Sequence, residues 1–188
     1  TYMSSYIDFY FDVISPYSYL AHKKIQKIKE SQKVIFNYKP ILLGGLHNLA
    51  GISAPAFNKY KMKNMQNDCE LVSKKNNISF IWNSNFPINS LSIMRGYLHV
   101  NKDQKEEYLN IFFNAYWKDN LDLTSEDEVS KLLEALSIDS EIFFKEINGL
   151  LFLNFVILNF FITDINLFYL TCCYDFCFFF IHKNFYIF

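Results

Sequence analysis

Residues 6–21 read Tyr6-Ile7-Asp8-Phe9-Tyr10-Phe11-Asp12-Val13-Ile14-Ser15-Pro16-Tyr17-Ser18-Tyr19-Leu20-Ala21, and this stretch decides the fold. Its first part is dense in aromatic and β-branched residues, the composition of a buried strand, and predicts a strand over 6–14. A hydroxyl residue followed by proline then opens a helix. The spacing of Tyr17, Leu20, Ala21, Ile25 and Ile28 gives one apolar face and predicts a helix over 16–30. Val34 to Lys39 alternate as a second strand, which Pro40 closes. The result is a β-α-β unit with parallel strands and a right-handed crossover. Ser15 sits at its corner, at the carboxyl end of the first strand, where open α/β sheets place their ligands. A hydroxyl at the positive end of a helix dipole suits an anion such as a thiolate. A simple N-cap with no further role is the competing reading of Ser15.

Beyond Pro40-Ile41-Leu42-Leu43-Gly44-Gly45-Leu46 the pattern changes, and Gly51 and Pro55 mark a loop. From 56 to 147 the signals are helical. One helix is expected over 56–76. Asn89 or Ser90 caps the next, Asp103 opens another, Ser125 and Glu128 form a capping box, and Asp139 caps a last short helix. The expected organisation is therefore a β-α-β part over 1–54, a helical insertion over 55–148 and a hydrophobic tail over 149–188.

The 188 residues are enough for one domain with a real core. A net charge of −1 gives no reason to expect nucleic acid as partner. Lys23, Lys24, Lys27, Lys29 and Lys33 read as a solvated helix face. Thr1 to Ser5 is polar and does not open a signal peptide, and the start at Thr1 suggests residues before it. Cys69 stands alone, while Cys172, Cys173 and Cys177 crowd the tail. That is no disulfide framework, so a reducing cytoplasm is the default compartment. His22, His47, His99 and His182 lack metal-ligand spacing, and no metal is expected.

The run from Asp8 to Ala21 resembles the 2-hydroxychromene-2-carboxylate isomerase family, kin of the kappa-class glutathione transferases in the DsbA-like branch of the thioredoxin superfamily. The likeness continues through Pro40–Leu46, Phe86-Pro87-Ile88-Asn89-Ser90-Leu91, Met94-Arg95-Gly96, Ala115-Tyr116-Trp117 and Asp122-Leu123, so it covers residues 6–147. It implies an α/β thioredoxin-like fold interrupted by an all-helical insertion. It also implies a glutathione-dependent enzyme, either an isomerase of an aromatic 2-hydroxychromene-2-carboxylate-like acid or a kappa-like transferase or peroxidase. An inactive remnant of the fold is the non-enzymatic alternative. By the resemblance Ser15 hydrogen-bonds the glutathione sulfur, and Lys61 contacts the glutathione peptide. Ile52 stands where relatives often carry an asparagine. The corner is Ser15-Pro16-Tyr17-Ser18 where dithiol oxidoreductases carry Cys-x-x-Cys, so its thiol must come from the ligand. Tyr17, Asn89 and Trp117 are candidates to line a pocket for a small aromatic substrate, with core packing as the other reading. A homodimer stays open.

The resemblance stops at Asn148-Gly149. Of 21 phenylalanines, 11 fall in residues 150–188, and Pro87 is the last proline. The cis-proline loop of the family is expected to be absent, and the C-terminal half of the thioredoxin fold missing or replaced. The tail reads as an out-of-frame ending, a divergent ending with strand character over 176–181, or a weak membrane candidate over 150–170, interrupted by Asn154, Asn159 and Asp164. One edge of the first strand is then expected to lack a partner.

Overall fold

β1 (Ser5–Phe11) and β2 (Val34–Pro40) pair in parallel from Ser5 opposite Val34 to Phe11 opposite Pro40, and α1 (Pro16–Ser31) crosses between them. This is the expected β-α-β unit. It is seen in a computed structural model that describes residues 5–31, 34–149 and 180–181. A short β3 (Phe180–Ile181) lies antiparallel on the other side of β1, with Phe180 opposite Phe9 and Ile181 opposite Asp8. The sheet order is β2-β1-β3, so β1 is central. The edge expected to be unpaired is met there by backbone hydrogen bonding, which removes exposed strand edge at that point. The other expectations for the tail, the membrane segment over 150–170 included, lie outside the described residues. Among the described residues no helix is long and apolar enough to cross a membrane.

β1 ends earlier than its apolar run. The chain turns at Asp12, where the Ser15 N–H donates to the Asp12 carbonyl at 3.0 Å and the Ile14 N–H donates to the Asp12 carboxylate at 3.1 Å. A short acceptor side chain that captures an N–H two residues on is a standard way to end extended structure.

Among the described residues six further α-helices follow: α2 (Leu43–Ala50), α3 (Lys59–Lys75), α4 (Leu91–His99), α5 (Lys105–Trp117), α6 (Glu126–Ala135) and α7 (Ser140–Ile147). α2 fills a stretch between Pro40 and Gly51 to which the sequence assigns no element. Its first N–H, from Leu43, is held by the Asp12 carboxylate at 2.8 Å, and Gly51 closes it with φ 64°. Several caps stand where expected. Ser125 accepts the Glu128 N–H, and Asp139 accepts the Ile142 N–H. Glu128 does not complete the box; its carboxylate pairs with Lys131. Asp103 lies in a single 3-10 turn, Lys102–Gln104, ahead of α5.

α5 is the most deeply set helix, burying Tyr108, Leu109, Phe112, Phe113, Ala115, Tyr116 and Trp117. Phe11 of β1 meets Tyr97 of α4 edge-on at 5.0 Å and Phe113 of α5 at 6.3 Å. One buried cluster runs from Phe9 to Ile147, so the β-α-β part and the helical block share a core. Asn83, fully buried, donates to the Tyr116 and Leu121 carbonyls and fastens the 76–90 connector to the end of α5.

Candidate active site

Ser15 caps α1, as its sequence position predicts. Its Oγ accepts the Ser18 N–H at 3.2 Å, and Pro16 follows at the first helical position. The hydroxyl is thereby used as an acceptor, and its hydrogen is committed to no acceptor among the described residues. A donor thus remains at the positive end of a 16-residue helix, in a corner only 5% exposed. Hydroxyl donation and the helix dipole both favour a thiolate over a thiol there. No cysteine lies in the corner. Cys69, on α3, is fully buried and hydrogen-bonded to Tyr17, and burial pushes its thiol well above the usual range. It is a packing residue and not a nucleophile.

The floor of the corner comes from α5. The Trp117 indole N–H donates to the Val13 carbonyl at 2.8 Å, and its ring lies against Phe80, Trp82 and Phe86. Trp117 is wholly buried and Tyr17 nearly so, which puts both under the corner and in the packing between helices. Trp117, its N–H bonded and its ring wholly covered, supports the corner from beneath, and Tyr17 packs against Cys69 at the start of α1. Asn89 is exposed and accepts the Leu91 N–H at 3.0 Å, so it starts α4. Its neighbour Ser90 is buried and donates to the Asp12 carboxylate, which brings the start of α4 to the Ser15 corner.

Lys61 lies exposed in the first turn of α3, whose N-cap is Asn58. α3 runs alongside α1 in the same direction: Tyr17 meets Cys69, and further along Lys27 donates to the Asn76 carbonyl. Lys61 precedes Cys69 by eight residues, about 12 Å of helix. The first turns of α3 therefore project past the start of α1, on the side where the corner lies. Phe57 and Tyr60 are exposed on the same overhang, at 76% and 84%. The Phe86–Pro87 peptide in the connector before α4 is cis.

Asp12 and Ser90 join the corner only in the fold, Ser90 showing no more than a cap position in the sequence. The buried Asp12 carboxyl receives Leu43, Ile14, Val13 and Ser90, yet burial outweighs them and pushes it up to about 6. The available signal was an acid set inside an apolar strand three residues before the hydroxyl. Among the described residues no group of His, Cys, Asp and Glu could hold a metal ion.

A family model for the DSBA-like thioredoxin domain matches residues 6–150. The 2-hydroxychromene-2-carboxylate isomerase of Sphingobium xenophagum is 26% identical over 141 residues, covering 74% of this chain and 72% of that protein. Glutathione S-transferase kappa 1 of Caenorhabditis elegans is 41% identical over 69 residues, 36% of this chain and 30% of that one. A solved 2-hydroxychromene-2-carboxylate isomerase structure superposes with a TM-score of 0.74 over 83% of this chain and 77% of its own, at 23% identity, and shares the fold. The match to the domain runs from the first strand to the end of α7, through the corner and the helices packed on it, and the chain belongs to the DsbA-like thioredoxin family.

Proposed function

We propose that this chain binds glutathione at the Ser15 corner and isomerises an aromatic acid of the 2-hydroxychromene-2-carboxylate type. The observation that carries the reading is Ser15 itself: an oxygen that caps α1, a hydrogen left to donate, and no cysteine beside it. The relatives named as isomerases, at 26% identity over most of this chain, support the reaction class. Bound glutathione supplies a thiolate that adds to an unsaturated carbon and leaves again after bond rotation, so it is returned unchanged. Ser15 holds the sulfur through its O–H, and the α1 N-terminus supplies the positive potential around it. Lys61, on the α3 overhang, offers an ammonium to a carboxylate of the peptide. A kappa-like transferase is the second reading. It is favoured by the 41% identity over 69 residues to a kappa-class enzyme and uses the same thiolate in a conjugation.

The test is a glutathione titration followed by ultraviolet thiolate absorbance. The parent chain should bind glutathione with a lowered thiol pKa. Ser15→Ala should raise that pKa by about one unit, a tenfold loss of thiolate at pH below both values. No binding by the parent, or identical thiolate in Ser15→Ala, refutes the assignment. Isomerisation of a 2-hydroxychromene-2-carboxylate, assayed beside conjugation to a generic electrophile, separates the two reactions.

A further inference from the structure

The Asp12 carboxylate is buried to 1% exposure and has no cationic partner among the described residues. Such a group is retained at a cost, and each of its bonds organises the corner. Oδ1 accepts the Ile14 N–H at 3.1 Å, within the turn. Oδ2 accepts the Leu43 N–H at 2.8 Å, from the first residue of α2. The Ser90 hydroxyl donates from the start of α4, and the Asp12 carbonyl takes the Ser15 N–H at 3.0 Å. We propose that Asp12 is the positioning residue of the site: as a carboxylate it clamps the β1–α1 turn to the starts of α2 and α4 and so fixes where the Ser15 hydroxyl points.

The geometry suits the ionised form. Both carboxyl oxygens accept N–H donors. A protonated oxygen is a weaker acceptor and adds an O–H to the cluster, and an asparagine's amide nitrogen cannot accept at all. Ser90 alone can adapt, because a hydroxyl can turn and accept. The groups facing Asp12 leave its own titration to dominate. From the turn come the Val13 and Ile14 amides, from α2 the Leu43 amide, and from α4 the Ser90 hydroxyl, all neutral. The titratable residues on those helices are His47 on α2 and Arg95, Tyr97 and His99 on α4. On β1 the other acid is Asp8. Burial and the neutral donors account for the displaced carboxyl without them.

The inference rests on the reading of Ser15 as the ligand-facing group, but the corner can be observed without ligand. The Trp117 indole N–H bonds to Val13, between Asp12 and Ser15, and reports on the turn. Amide and indole N–H resonances of the full chain are followed from pH 4.5 to 8. Ile14, Ser15, Leu43 and the Trp117 indole should titrate together with a midpoint near 6, and Ser90→Ala should move that midpoint upward. Asp12→Asn should abolish it. Independent midpoints, or the same titration persisting in Asp12→Asn, overturn the proposal. Should Asp12→Asn not fold, the parent and Ser90→Ala titrations still decide. In a separate arm glutathione should bind Asp12→Asn about tenfold more weakly at pH 7.5, the loss of one bond to a charged group. Equal affinity in the two also overturns the proposal. A parent chain that binds no glutathione refutes the functional reading instead, and the resonance titration still decides whether the clamp holds.

Discussion

At the residue scale the corner holds two polar groups with opposite requirements. Ser15 needs only a cap partner and keeps a hydrogen committed to no acceptor among the described residues, while the Asp12 carboxylate, inside the core, accepts from amides of the turn and of α2 and from the Ser90 hydroxyl. Its carboxyl is raised from 3.8 to about 6, which makes folding pH-dependent. In the unfolded chain Asp12 loses its proton near pH 4; in the folded chain it holds the proton to about pH 6. Its contribution to stability is therefore fully present below pH 4 and is lost as pH rises through 6. The shift corresponds to about 3 kcal/mol. Denaturant melts of the parent and Asp12→Asn should show this as a difference: between pH 4 and 7 the parent loses about 3 kcal/mol relative to the variant, and above pH 7 the gap stays constant. A gap that does not change with pH would mean that Asp12 titrates alike in both states. The charged clamp at neutral pH is thus held against its own desolvation, as expected where geometry serves a site more than stability.

At the element scale the helices meet through one unusually close approach. A Cβ on Gly96 of α4 would run into the Phe143 ring and the Tyr108 hydroxyl, so α4, α5 and α7 converge there because the residue is glycine. Tyr108 is committed, donating to the Ile93 carbonyl at 2.9 Å, and cannot swing aside. Gly96→Ala should therefore destabilise by about 1–3 kcal/mol despite the better helix propensity of alanine. Thermal melts would read this as a clear fall in Tm, and a rise would show that the junction can repack. The elements that sequence alone made legible are those with local signals. The β1–α1–β2 order followed from composition and alternation, and the caps at Ser15, Ser125 and Asp139 from a hydroxyl or acid ahead of an apolar period. α2 was not legible. Two of its eight residues are glycines, poor helix formers, and the carboxylate that starts the helix lies 31 residues back in the chain. Asp12 stayed hidden for the same reason: Leu43 and Ser90 are distant in sequence and joined to it only by the fold. Tyr17 and Trp117 were legible as aromatic residues near the corner. Periodicity does not tell the underside of a corner from its mouth.

At the scale of the whole molecule the β-α-β unit and the helical block stand or fall together, because the same rings serve both. Phe113 of α5 is fully buried and lies 6.3 Å from Phe11 of β1, 5.9 Å from Tyr19 and 5.3 Å from His22, both on α1. Trp117, one turn on, carries the Val13 carbonyl of the corner. A truncation at Phe113 opens a cavity between the sheet, α1 and α5 that none of them can close alone. Phe113→Ala should cost about 3–5 kcal/mol, a large share of the ~5–15 kcal/mol typical of a folded domain. In urea, tryptophan fluorescence reports the corner through Trp117 and the Trp82 packed on it, and far-ultraviolet circular dichroism is dominated by the helices. Both midpoints should fall by the same amount and remain coincident. Separated midpoints in the variant would mean that the helical block unfolds apart from the β-α-β unit, against the shared core. Glutathione affinity, measured where Phe113→Ala is still folded, should then be unchanged, in contrast to Asp12→Asn. That contrast distinguishes a residue that stabilises the whole fold from one that sets the geometry of the corner.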